Sequence, residues 1–318
     1  MDTTRFEHSH FLQDLPNRQT YVKLEPIDKG LSGDRKFALE TADGQRFLLR
    51  VSDIEAFARK KAMYDMMERV AALGVPMSKP LGFGVCNGGA SVYQLLSWCD
   101  GETADMALPA MTAAEQYALG VKTGRALRLI HTLPAPDGLE DWQDRFLRDN
   151  DERVRAFLGC GVPIDGSDAL FAYYEANRPL LRGRPQCFLH GDFHNENLLI
   201  SQNHDVSIVD WELLDSLYGD PWLEFNRILS TELIPHFTSG QLYGYFDGDP
   251  PAAFWPVLAF YLSAGALMLV AWAAYAEPHC LEECRRNAGH VSRWFDGMRS
   301  PVPSWYLRDA GAAGLNIG

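Results

Sequence analysis

Several things this 318-residue chain lacks narrow what it can be. Cysteine is scarce: Cys86, Cys99, Cys160, Cys187, Cys280 and Cys284 stand far apart except for the last two, and no metal-ligand spacing accompanies that pair. A disulfide scaffold is therefore not expected, and reduced thiols in a cytoplasmic protein are. The opening stretch, MDTTRFEHSH, has no basic region leading into an apolar core, so a secretory signal is not expected. No repeat and no low-complexity tract interrupts a composition of 47% hydrophobic and 22% charged residues, which excludes wholesale disorder. An excess of positive charge is also missing. The net charge of −13 argues against a nucleic-acid partner.

One absence points elsewhere. Pro250 to Ala276 contains no charged residue, and Val257–Ala276 is apolar and long enough to cross a bilayer. Its flanks are acidic on both sides (Asp247 and Asp249 before, Glu277, Glu282 and Glu283 after), and Ala, Gly and Ser dilute it. A buried core helix is the expectation, with no membrane partner.

What is present falls into two halves. Phe37–Glu40 and Phe47–Val51 flank an Asp43-Gly44 turn and read as a hairpin. Glu55–Leu73 has helical spacing and stops at Gly74 with Pro76 beyond. Ser91–Trp98 reads as another strand. Then the pattern turns helical: Thr112 and Glu115 form a capping box opening a helix to about His131. A short β island follows, Leu198–Ile200 and Val206–Val209 around a polar turn, and from Asp220-Pro221 a helix start begins a helical remainder. A β-rich first third and a helical remainder imply a two-lobed α+β protein, divided as residues 1–98 and 99–318, with a cleft near residues 97–101.

The densest chemistry lies in His190-Gly191-Asp192-Phe193-His194-Asn195-Glu196-Asn197, followed by Ile208-Val209-Asp210-Trp211-Glu212. Phosphoryl transfer needs a carboxylate to orient and deprotonate a hydroxyl, and oxygen ligands to hold Mg²⁺ against nucleotide phosphates. Asp192 suits the first task, and Asn197 and Asp210 the second. These two motifs resemble the signature of the aminoglycoside phosphotransferase/choline kinase superfamily, relatives of the protein kinases, which share the Asp-x-x-x-x-Asn spacing.

The resemblance implies a protein-kinase-like fold and a small-molecule kinase using ATP or GTP with Mg²⁺. It makes Asp192 the catalytic base, Asn197 and Asp210 metal ligands, and His190 and His131 structural. Gly30-Leu31-Ser32-Gly33 is similar to the family's phosphate-covering loop, with Ser32 at the nucleotide. Arg50 stands where the family usually has a phosphate-binding lysine, and its acidic partner on the next helix is not evident; Asp65 has suitable spacing, although a solvated helix face explains it as well. Ser97 and Cys99 match the hinge that pairs with the purine.

The acceptor would be a hydroxylated small molecule. Residues 100–318 carry 30 acidic against 16 basic side chains, so an aminoglycoside-like or other amine-bearing acceptor is expected, met by Glu196, Glu212, Asp215 or Glu224. The alternatives are a neutral metabolite or macrolide, or a nucleotide-binding regulatory protein without turnover. A zinc site built on His190, Asp192 and His194 lacks a second histidine cluster. A protein kinase would need a longer segment between Asp210 and Asp220.

Overall fold

The computed structural model describes residues 14–28, 33–211, 217–229 and 233–308. Two compact units divide the chain: Met1–Gly101 with Ser207–Trp211, and the remainder.

The first unit is built on an antiparallel sheet of β1 (Tyr21–Ile27), β2 (Arg35–Thr41), β3 (Arg46–Asp53), β4 (Pro80–Cys86) and β5 (Ser91–Ser97), in the order β1-β2-β3-β5-β4. The β2–β3 hairpin closes as expected at Gly44, whose φ of +82° lies in the left-handed region glycine tolerates. Side chains alternate across the sheet, so Leu49 and Val51 enter an apolar core with Leu39, Tyr93 and Leu95, while Arg50 and Ser52 take the other face. Helix α1 (Phe57–Ala72) follows β3. Two strands, β1 and β4, were not expected from the sequence. They are the sheet's two edges, and edges accept the proline and charges of Tyr21–Ile27 and the proline and glycines of Pro80–Cys86.

Residues 207–211 join this unit by backbone pairing. Ile208 N donates to Pro76 O (2.9 Å), and Ser78 N donates to Ile208 O (3.2 Å). Asp210 follows with φ +59°, an uncommon conformation for a residue bearing a Cβ.

The second unit is mainly helical, with α2 (Ala113–Ile130), α3 (Trp142–Cys160), α4 (Ser167–Asn177), α5 (Pro235–Phe246), α6 (Phe254–Tyr275) and α7 (Leu281–Trp294). Short strands β6 (Glu102–Thr103) and β8 (Leu198–Ile200) pair antiparallel, as do β7 (Cys187–Phe188) and β10 (Tyr218–Gly219). The chain leaves this unit through β9 (Val206–Ile208). The capping box of α2 forms as its sequence predicts, with Glu115 N donating to Thr112 Oγ1 and Thr112 N to Glu115 Oε2.

Helices α2 and α5 touch backbone to backbone through glycines on both. A Cβ at Gly120 would stand 2.1 Å from Phe237 O, and one at Gly244 2.2 Å from Val121 O. This close approach lets His131, at the end of α2, meet Tyr245 of α5, with Nδ1 2.9 Å from its hydroxyl.

Helix α6 contains the charge-free run. Its 22 residues are long and apolar enough for a membrane span, yet most of its length is buried within the unit. It is a core helix. Phe260 stacks on Tyr174 of α4 at 5.1 Å, and the Tyr261 hydroxyl donates to Asp220 Oδ2 while accepting from Trp142 Nε1, both at 2.7 Å.

One expected α-helix start differs. Pro221–Leu229 is a 3₁₀ helix, and Asp220 does accept from Trp222 N (3.0 Å), but its carboxylate is fully buried against the Arg184 fork. The tighter winding superimposes residues three apart, which decides where Glu224 and Arg227 point.

Candidate functional site

In the second unit the segment from His190 to Asn197 is held by its own neighbours. Gly191 has φ +84°, which only glycine adopts readily, and both of its backbone groups are gripped from the 3₁₀ helix. Its N–H donates to Glu224 Oε1 (2.8 Å), and its carbonyl accepts from Arg227 Nε (3.1 Å) and Nη2 (2.6 Å). His190 is fully buried, and its Nδ1 accepts from Asp192 N at 3.3 Å. A structural histidine was the expectation, and this is where it lies.

These contacts present the Asp192 carboxylate, which keeps 30% of its side chain exposed. Glu196 N donates to His194 Nδ1, leaving His194 Nε2 as the protonated nitrogen that donates to Asp192 Oδ2 (3.3 Å). Asn197 Nδ2 donates to Asp192 Oδ2 (3.0 Å) and to Asp192 O (2.9 Å), and Arg227 Nη1 stands 3.7 Å from Oδ1. Burial works against ionising this carboxyl. The His194 hydrogen bond and the Arg227 charge outweigh it and hold the pKa down at about 2. Asp192 is thus an anion at neutral pH, and Asn197 offers its amide nitrogen to it while its oxygen stays available as a hard donor.

Glu224 needs a correction. Expected to face an acceptor, it is buried with a side-chain exposure of 1%, committed to Gly191. Burial would raise its pKa, but the neighbouring His131 ring, 3.9 Å away, then His190 and the Gly191 N–H bring it below the ordinary value. Glu196 is exposed. Glu212 and Asp215 lie outside the described residues.

In the first unit Arg50 is almost wholly buried, on the face of β3 opposite the apolar core. Its partner is not Asp65, which pairs with Lys61 along the exposed face of α1. Arg50 Nε donates to Asp34 Oδ2 at 3.0 Å, and Nη2 forms an ion pair with the same oxygen at 3.0 Å. Arg50 Nη1 donates to Asp210 Oδ1 at 2.8 Å, and Lys36 Nζ lies 3.9 Å from Asp210 Oδ2. Asp34 also accepts from Ser52 Oγ (2.6 Å) and Lys60 Nζ (2.5 Å). Ser32 falls outside the described residues.

The hinge residues are tied into the same unit. Ser97 exchanges backbone and side-chain bonds with Lys79: its N–H donates to Lys79 O and its Oγ accepts from Lys79 N, each at 2.8 Å. Ser97 N–H is therefore engaged within the sheet. Cys99 follows, half-buried, with a thiol pushed up by burial. Asp100 accepts from Arg46 (2.9 Å) and Trp98 Nε1 (3.0 Å), pinning the segment between them.

Asn197 in the second unit carries an amide oxygen and Asp210 in the first a carboxylate, each a hard-oxygen donor of the kind Mg²⁺ takes. Among the described residues no group of three His, Cys, Asp or Glu forms a metal cage. The residues that sequence reasoning missed are Asp34, Lys60 and Arg227. Only Arg227 left a local signal, its three-residue spacing from Glu224.

Among solved structures the chain resembles amicoumacin kinase in complex with AMP-PNP, Ca²⁺ and Ami, at 14% identity over 84% of this chain and 88% of that one, TM-score 0.58. It also resembles the GDP and kanamycin complex of APH(2")-IIia, at 12% identity over 91% and 98%, TM-score 0.62. An aminoglycoside phosphotransferase from Alicyclobacillus acidocaldarius aligns at 15% identity over 90% and 94%, TM-score 0.54. At such identities the likeness establishes the fold, an α+β protein-kinase-like one. No curated protein matches. The family model described as the phosphotransferase enzyme family matches residues 23–259, which span Arg50, Asp192, Asn197 and Asp210. The chain belongs to that family of phosphotransferases.

Proposed function

We propose that the protein transfers the γ-phosphoryl group of ATP or GTP to a hydroxyl of a small molecule in the cytoplasm. In this reading residues 1–98 hold the nucleotide and residues 99–318 hold the base and the acceptor. The observation that carries it is the Asp192–Asn197 pair: a carboxylate held ionised, with an amide that donates to it and keeps its oxygen for a metal. Asp192 orients the acceptor hydroxyl and takes its proton as the bond to phosphorus forms. Arg50 places a fixed cation beside the phosphates, and Ser97 and Cys99 lie along the purine. Asn197 and Asp210 would each offer an oxygen to Mg²⁺, which would supply charge neutralisation at the phosphate oxygens. Solved proteins of this fold that carry AMP-PNP or GDP support a nucleotide donor.

An amine-bearing acceptor, aminoglycoside-like, is supported by the acidity of residues 100–318 and by exposed Glu196. A neutral acceptor has its own support. Arg227 Nη1 stands 3.7 Å from Asp192 Oδ1, so an ammonium group brought close to that carboxylate would meet a fixed positive charge.

Nucleotide consumption measured across a panel of hydroxylated amines and neutral polyols, with MgATP and MgGTP compared, tests the proposal. Acceptor-dependent consumption is the expected result. A chain that binds neither nucleotide would refute it.

A further inference from the structure

The acid that orients Arg50 comes from an unexpected place. Helix α1 presents a lysine, Lys60, to the buried face of β3, and the carboxylate between the two cations is Asp34, one residue before β2. Three side chains donate to this one group, through Arg50 Nε, Lys60 Nζ and Ser52 Oγ, and Arg50 Nη2 adds an ion-pair contact at 3.0 Å. The side chains of Asp34, Arg50 and Lys60 are all at least nineteen-twentieths buried. Buried ions at this depth persist only when paired, and removing Asp34 would take away the carboxylate that Arg50 and Lys60 share.

The geometry also restricts the guanidinium. With its Nε–Nη2 edge fixed on Asp34, Arg50 directs Nη1 to Asp210. A planar fork held along one edge cannot rotate to present another. We infer that Asp34 is a positioning residue for phosphoryl transfer: by gripping one edge of Arg50 it aims the other at Asp210 and the nucleotide phosphates, from the head of β2 and not from α1. This rests on the nucleotide-binding reading above. Lys60, on this view, balances Asp34 and makes no contribution to nucleotide affinity.

Three variants of the full chain test the inference by titration calorimetry with MgATP and MgGTP, with the Tm of each recorded. Lys60→Met keeps the acid and removes the second cation. Asp34→Asn/Lys60→Met leaves Arg50 without Asp34 but creates no buried like-charge pair. Asp34→Asn/Lys60→Glu moves the acid to α1. Nucleotide Kd is expected to stay within about threefold of wild type in Lys60→Met, to weaken by roughly tenfold in Asp34→Asn/Lys60→Met, and to recover when the acid is relocated. Equal affinity in the first two variants overturns the inference, and so does a folded relocation variant that fails to recover. Should Asp34→Asn/Lys60→Met not fold, Asp34→Glu moves the same charge by one methylene; a several-fold loss of affinity supports the inference, and unchanged affinity overturns it. A wild-type chain that binds neither nucleotide defeats the nucleotide reading and this inference together, whereas equality among binding-competent variants defeats this inference alone.

Discussion

The two units hold their functional charges in opposite ways. In the second, Asp192 is braced by residues two and five positions along the chain, His194 and Asn197, with one distant helper in Arg227. In the first, Arg50 is braced by Asp34 and Asp210, 16 and 160 positions away, and Lys60 reaches Asp34 across 26. Asp192 keeps partial contact with solvent, as the proposed base needs. Arg50 does not, and its charge is set by a buried Asp34 and a part-exposed Asp210. A locally braced group survives changes elsewhere in the molecule. A remotely braced one depends on each partner, so substitutions should discriminate between the two designs.

The largest effect is expected at the local site. Asp192→Ala removes the proposed base, so turnover should fall by roughly 10³-fold, while nucleotide Kd moves by less than about threefold because no partner of Arg50 is disturbed. Single-turnover kinetics alongside nucleotide titration would separate the two. Near-normal turnover in a folded variant would end the case for Asp192 as base.

Arg227 comes next, since it is the long-range element of an otherwise local site. It grips the Gly191 carbonyl with two nitrogens and stands beside Asp192. Arg227→Met should lower kcat by about 10- to 100-fold through misplacement of the carboxylate, with nucleotide Kd unchanged. Arg227→Lys should recover little, because an ammonium cannot reproduce the fork. Full recovery by lysine would mean that charge near Asp192 matters and the grip on Gly191 does not.

This contrast also explains what was legible in the sequence. Asp192, Asn197 and Asp210 could be read because their spacing is itself the structure: a loop, two short strands and a turn at Ser201–Asp205. The central strands and the core helix α6 were legible from apolar runs. Edge strands β1 and β4 were not, since their proline, glycine and charge are tolerated only because one side of each is unpaired. Asp34 carried no local signal, because a lone aspartate before a strand reads as a turn residue. Glu224 was misread because buried and exposed acids are indistinguishable until a partner such as the Gly191 N–H is placed against them.

The smallest expected effect is on stability against pH, and it compares the two carboxylates directly. Burial pushes the Asp34 carboxyl up, but the Arg50 charge and the hydrogen bonds from Lys60 and Ser52 prevail and hold it well below the ordinary carboxylate range. A folded pKa below the unfolded value, about 3.9, gives stability that is complete above that value and drains away as pH falls through the folded one. Lys60→Met, which keeps Arg50 on Asp34, should therefore be more stable at pH 7 than Asp34→Asn/Lys60→Met, by a Tm gap on the order of a few degrees. The gap should narrow steadily below about pH 4 as the carboxyl protonates. Asp192, held down at about 2 and nearly a third exposed, has the same sign. Its gap, read between wild type and Asp192→Asn, should be smaller, because solvent screens part of what its partners supply. Calorimetric Tm values between pH 2.5 and 7 on these four proteins decide the matter. A larger gap at Asp192 than at Asp34 would show that the remote ion pairs of the first unit hold their acid less firmly than the local bonds of the second.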